Sequence, residues 1–322
     1  MSRFLAEVGL FVFLQSIILV TAIQLSAPEP TAYLAAVVAK EELAKTTPSP
    51  RLLLVGGSGL AFGMDSPALR ESLHREPINL GLQASLGFGF ILNQAERLAQ
   101  PGDWIVLLPE YNHYYIRMDE ALTIARLLEQ SPESWRDFPR DFQFFKVLLD
   151  SGLYFLRERL WRVYLKQTGA EEARPPYHID SFNREGDVVG HWEMIAKDHA
   201  PMARLGVEVD PDVIDQINEF AARVESRGIH VWLAHPPVEA RTFDLCQDSL
   251  RELQATLDQN LKVKQLNQID EMRYPDELFY DTAYHLTRAG AERRTSQLSE
   301  RIQAAAATIG PDSKATDPQP TK

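Results

Sequence analysis

The sequence predicts an α/β protein: a three-layer α/β/α body with a parallel, doubly wound sheet, behind an N-terminal apolar helix and carrying a helical insertion. Three observations lead there. Short apolar runs at 51–55, 77–80, 104–108 and 229–234 alternate with segments of helical spacing, the pattern of buried parallel strands joined by crossover helices. The chain has 322 residues, 45% hydrophobic and 24% charged, which is ordinary globular composition with enough length to bury a core. Its single cysteine, Cys246, excludes an internal disulfide framework and a multi-cysteine zinc site. A prior of ~150 residues per domain allows two domains. The continuous alternation favours one domain with an insertion.

The elements follow in order. Residues 8–23 carry no charge, and Phe4, Leu5 and Leu25 extend the apolar stretch. It is just long enough to span a bilayer, for which ~20 apolar residues are needed. Residues 1–25 thus read as a transmembrane anchor or a cleaved signal peptide, the third option being an amphipathic helix docked on the body. Arg3 before the run favours a cytoplasmic N-terminus and an exported body. Residues 26–50 read as a linker with a short helix at 31–45. The folded domain is expected over 51–307. Its first strand stops at Gly56-Gly57, and Asp65-Ser66-Pro67 opens a helix with a capping residue and an early proline. Helical spacing recurs at 88–99, 211–227, 243–257 and 287–307. The insertion, about 131–207, is aromatic-rich and helical to 166 and then a polar loop. Its aromatics mix with Lys146, Arg157, Arg159, Arg162 and Lys166, as in a core or cap helix or a membrane-docking surface. Residues 308–322 read as a disordered tail.

Two short stretches could carry chemistry. In Val55-Gly56-Gly57-Ser58-Gly59 a serine directly follows a strand, at the sheet edge where open α/β folds bind ligands. Flanking glycines permit a tight turn and close approach of a substrate, and backbone N–H groups there can stabilise an oxyanion. Near the other end, Asp281 and His285 precede the last helix. A serine hydroxyl needs a base, and the base needs an orienting partner. His285 and Asp281 can supply both.

These two blocks resemble the SGNH (GDSL-type) hydrolase superfamily, and more closely the membrane-tethered SGNH-like proteins of bacterial exopolysaccharide systems. The resemblance covers about residues 51–302 and implies a flavodoxin-like sheet. It also implies a nucleophile Ser58, a base His285 and an orienting Asp281. Ile78-Asn79-Leu80-Gly81 looks like the second block, whose glycine N–H, here Gly81, joins Gly57 and Ser58 around the oxyanion. Asn112, after the third strand, stands nearest to the oxyanion-hole asparagine. Three positions depart from the pattern: Gly57 replaces an aspartate, Glu110 lies where an oxyanion would be repelled, and Asp281 and His285 are four apart instead of three.

The loop from Tyr177 to Asp187 is expected over the mouth of the site, with Asn183 and Asp187 as polar contacts; His235 is expected along the cleft. Gly57-x-Gly59-x-x-Phe62 lacks the third glycine of a dinucleotide fingerprint, and His178, Asp180, His191 and His199 match no metal-ligand spacing. No cofactor and no metal is expected. The net charge of −12 argues against nucleic acid. The resulting expectation is an esterase or O-acyltransferase on an envelope or secreted polysaccharide, at the bacterial inner membrane with a periplasmic body. It would be anchored through residues 4–25, with a polysaccharide synthesis complex as a partner. A non-catalytic scaffold of such a complex is the other class.

Overall fold

The computed structural model describes residues 32–141 and 176–308 continuously, with residues 7, 9–11, 13–18 and 21 near the N-terminus and 144–147, 149–150, 157, 160–161, 164 and 168 in the insertion. Most of the expected anchor or signal peptide at 1–25, and the tail at 309–322, lie outside the described residues. Among the described residues, no helix is long and apolar enough to cross a membrane.

The protein is mixed α/β. Its strands are β1 (Arg51–Gly56), β2 (Glu76–Asn79), β3 (Trp104–Leu108), β4 (His230–Leu233), β5 (Val238–Glu239), β6 (Lys264–Gln265) and β7 (Arg273–Tyr274). Five form a sheet in the order β2-β1-β3-β4-β6, and every pairing in it is parallel. β5 pairs with β7 separately. The helices are α1 (Ala36–Thr46), α2 (Ser58–Ala61), α3 (Ser66–Leu73), α4 (Phe88–Leu98), α5 (Ala121–Gln130), α6 (Pro211–Glu225), α7 (Ala240–Leu245), α8 (Gln247–Asn260) and α9 (Arg288–Ala306).

Strand alternation divides the core into two parts. Leu53, Val55, Ile105, Leu107, Val231 and Leu233 face a large cluster completed by α1, α4, α6 and α8. Leu52, Leu54, Val106, Leu108 and Trp232 face the other way, against Leu69 of α3 and Leu298, Ile302 and Ala305 of α9. Leu52, Leu53 and Leu54 are wholly buried, which contributes about 2 kcal/mol each. This is why β1 reads as an unbroken apolar run.

Four details differ from the sequence reading. β2 begins one residue earlier than expected. β5, β6 and β7 are two residues each, too short to leave an apolar run. The helix expected at 243–257 is two helices, α7 and α8, meeting at Cys246. Residues 36–46 are no mere linker helix: Val37, Ala44 and even Lys40 of α1 are buried in the body.

After β1 the chain pairs β2 on one side and then crosses back to place β3 on the other. The carboxyl ends of β1 and β3 therefore flank the point where the winding reverses. In open α/β sheets that crevice is where ligands bind.

Candidate active site

Gly57 is extended and caps α2, so Ser58 is the first helical residue after β1. Its N–H has no acceptor within the helix. Glu110, just beyond the end of β3, is only 5% exposed. Its Oε1 accepts the Ser58 hydroxyl at 3.2 Å and the Gly59 N–H at 2.7 Å. The glycines make room for this carboxyl. A Cβ at Gly57 would stand 2.8 Å from Glu110 Oε1, and one at Gly59 3.2 Å away. Beneath the turn, Arg294 of α9 is fully buried and donates from Nη1 to the Gly59 carbonyl at 2.8 Å. Burial lowers the pKa of Arg294 to about 10, against the opposing charges of Tyr274, Tyr111 and Glu110.

The second block closes on itself. An antiparallel bridge joins Phe279 to Leu286, and the Tyr280 N–H donates to the His285 carbonyl at 2.7 Å. Inside the loop, Thr282 Oγ1 accepts the N–H groups of Tyr284 and His285 at 3.3 and 3.0 Å. The tightened loop brings His285 Nδ1 to 2.8 Å from Asp281 Oδ1, so the four-residue step accommodates the hydrogen bond. Tyr177 donates its hydroxyl to the other Asp281 oxygen, Oδ2, at 2.8 Å. Burial pushes the Asp281 carboxyl up, but His285 and the Tyr177 hydroxyl together hold it below its ordinary value.

The two blocks meet. The His285 ring stacks on Phe62, with centroids 4.0 Å apart and planes at 8°, and the Phe62 N–H donates to the Ser58 carbonyl at 2.9 Å. Tyr284, beside His285, lies against Gly59, where a Cβ would come 3.1 Å from Tyr284 Cβ. Ser58 and His285 are thus on the same edge of the sheet. With Nδ1 committed to Asp281, Nε2 is the ring edge left for proton exchange. The Ser58 hydroxyl, however, bonds to Glu110 and not to His285. No family model and no curated protein matches the chain.

Of the other expected site residues, Gly81, Asn183, Asp187 and His235 are held by hydrogen bonds within the fold. The Gly81 N–H donates to Asn79 Oδ1 at 2.9 Å, so it is not a free donor beside Ser58. Asn112 lies in the short turn after Glu110 and is half-buried. Its carbonyl accepts the N–H groups of Tyr115 and Ile116 at 3.1 Å. Asn183 spends both side-chain polar atoms on Asp187, at 2.9 and 2.8 Å. Asp187 is itself fully buried and accepts from Ser66, Asn79 and Asn183. His235 is buried below the edge, bonded through Nε2 to Gln265 Oε1 at 2.8 Å; burial lowers its pKa to about 4.

The loop over the dyad does come from the stretch 177–187, but its contact residue is Tyr177. Sequence reasoning did not single out Tyr177, Phe62, Lys40 or Arg294. A lone tyrosine, phenylalanine or basic residue carries no spacing signal, and each gains its meaning only from what it packs against.

Proposed function

We propose that this protein is an SGNH-like esterase or O-acyltransferase acting on a cell-envelope or secreted polysaccharide. The hydrogen-bonded Asp281–His285 pair carries the reading, because its imidazole is stacked on Phe62, the residue that follows the helix Ser58 begins. In this reading Ser58 Oγ attacks an ester carbonyl. His285 exchanges protons with the reacting oxygens, and Asp281, braced by Tyr177, fixes the ring and its tautomer. The Ser58 N–H, which has no acceptor within its helix, is the donor left for the oxygen of the tetrahedral adduct, since the Gly59 N–H is held by Glu110. The three-layer, flavodoxin-like arrangement belongs to the same proposal, as does export behind an anchor formed by residues 4–25.

Turnover of p-nitrophenyl acetate by the purified chain tests this. Ser58→Ala should abolish release of p-nitrophenol, and equal slow turnover by the two proteins would sink the catalytic reading. Partition into membranes, lost when residues 4–25 are deleted, tests the anchor.

A second reading, a non-catalytic scaffold of a polysaccharide synthesis complex, draws on two observations. Glu110 occupies the serine's hydroxyl, and Gly81 is no longer a free oxyanion donor. The same assay separates the two readings, since a scaffold has no Ser58-dependent turnover.

A further inference from the structure

Ser58 donates its proton toward a carboxylate, and a carboxylate can receive it. Oε1 of Glu110 lies 3.2 Å from Ser58 Oγ and is held there by the Gly59 N–H at 2.7 Å. Gly57 and Gly59 leave space for it that any side chain would fill.

Electrostatics bear on which group takes the proton. If His285 took it, Glu110 would stay negative while an oxyanion formed on the carbon bonded to Oγ. Two unit negative charges about 4 Å apart at an effective dielectric of about 20 repel by the equivalent of roughly a thousandfold in rate. If Glu110 takes the proton, its charge vanishes as the oxyanion's appears.

We propose that Glu110 is a catalytic residue, the acceptor of the Ser58 proton in the first half of the reaction. The proposal rests on the reading of Ser58 as a nucleophile. In acylation the Oγ–H proton passes to Glu110 Oε1 as Oγ bonds to the acyl carbon and the carbonyl electron pair moves onto oxygen. The tetrahedral adduct collapses, the ester C–O bond breaks, and the departing alcohol oxygen takes the proton from Glu110. In deacylation His285 Nε2 takes a proton from the attacking water or acceptor hydroxyl. It delivers that proton to Oγ as the acyl–Oγ bond breaks. Glu110 and His285 both finish as they began. The two carboxylates thus have separate tasks, Glu110 on the serine and Asp281 on the imidazole.

The division of labour is testable by intact-mass analysis of protein mixed with p-nitrophenyl acetate. His285→Ala should lose turnover yet accumulate one acetyl group on Ser58. Glu110→Gln, which keeps the shape but cannot take the proton, should acylate at least ~10²-fold more slowly than wild type, the usual range for a lost general base. His285→Ala that fails to acylate while wild type does would overturn the proposal, whatever the fate of the Glu110 variant. So would Glu110→Gln acylating within threefold of wild type. If no acetyl group reaches Ser58 in wild type or either variant, the nucleophile reading fails and this inference fails with it.

Discussion

Two polar centres lie at the carboxyl edge of the same sheet, and they are built on opposite principles. One joins α1, the end of β2 and the 183–187 loop. There Lys40 Nζ donates to the carbonyls of Asn79, Gly81 and Gly186, and Asp187 accepts from Ser66 Oγ and N, Asn79 Nδ2 and Asn183 Nδ2. Every charged atom is saturated and buried. The other joins α2, Glu110 and the 281–285 loop. There, among the described residues, Asp281 and Tyr177 fix one edge of the His285 ring, and the Ser58 hydroxyl has Glu110 as its acceptor. A saturated buried network specifies a fold and has nothing left for a ligand. A constellation oriented from behind, with one face uncommitted, is suited to chemistry.

The sharpest way to break this comparison is to damage each centre and watch turnover and stability together. Asp281→Asn keeps the shape but misorients the imidazole. It should lower ester turnover by about 10³–10⁴-fold, with little change in the urea midpoint. A large fall in stability with turnover per folded molecule intact would reverse the assignment.

The opposite signature belongs to Asp187→Ala. It strands the donors of Ser66, Asn79 and Asn183 in the interior, at a cost of about 3 kcal/mol in unfolding free energy. Turnover per folded molecule should stay within a few-fold. Burial raises the pKa of Asp187 even though those donors oppose it, the mark of a carboxyl far from water.

The sheet was legible because its main strands are fully buried, so Leu52 to Val55 or Ile105 to Leu108 cannot be mistaken for a solvated face. Ser58 was legible because it directly follows β1, and Asp281 and His285 because they fall in the short loop before α9. The saturated centre was not separable from the site by sequence. Gly81, Asn183 and Asp187 are the same residue types at the same edge, and only their hydrogen bonds show that they are already occupied. Nor did the four-residue step between Asp281 and His285 reveal that Thr282 folds the loop tightly enough to close it.

Lys40 gives a smaller, pH-dependent effect. Burial lowers its pKa from 10.5 to about 7, with Asp187 opposing. Between those values the unfolded chain holds the proton and the folded chain does not. Stability from this group therefore rises with pH across that window and is lowest below it, with a slope of up to about 1.4 kcal/mol per pH unit. Denaturant titrations of wild type and Lys40→Met should diverge in favour of wild type as the pH climbs from about 7 toward 10.5. A gap that stays flat removes the linkage.

The smallest expected effect is the most specific. Tyr177 touches the open centre from outside: its ring packs on Phe62 and Tyr33, with centroids 5.5 and 6.0 Å away, and its hydroxyl reaches Asp281 Oδ2 at 2.8 Å. Tyr177→Phe keeps the ring contacts and removes that hydrogen bond together with the longer hydroxyl contact to His285 Nδ1 at 3.4 Å, an effect of about 1 kcal/mol. If the bond merely staples a loop, the loss should appear in thermal stability. If it braces Asp281 for the imidazole, it should appear as about a fivefold fall in kcat, with KM and melting temperature nearly unchanged. Asp281 would then also lose one of the groups that depress its carboxyl, so the titration of that carboxyl should move to higher pH. A kcat equal to wild type, with a lowered melting temperature, would place Tyr177 with Asp187 among the residues that hold the edge together.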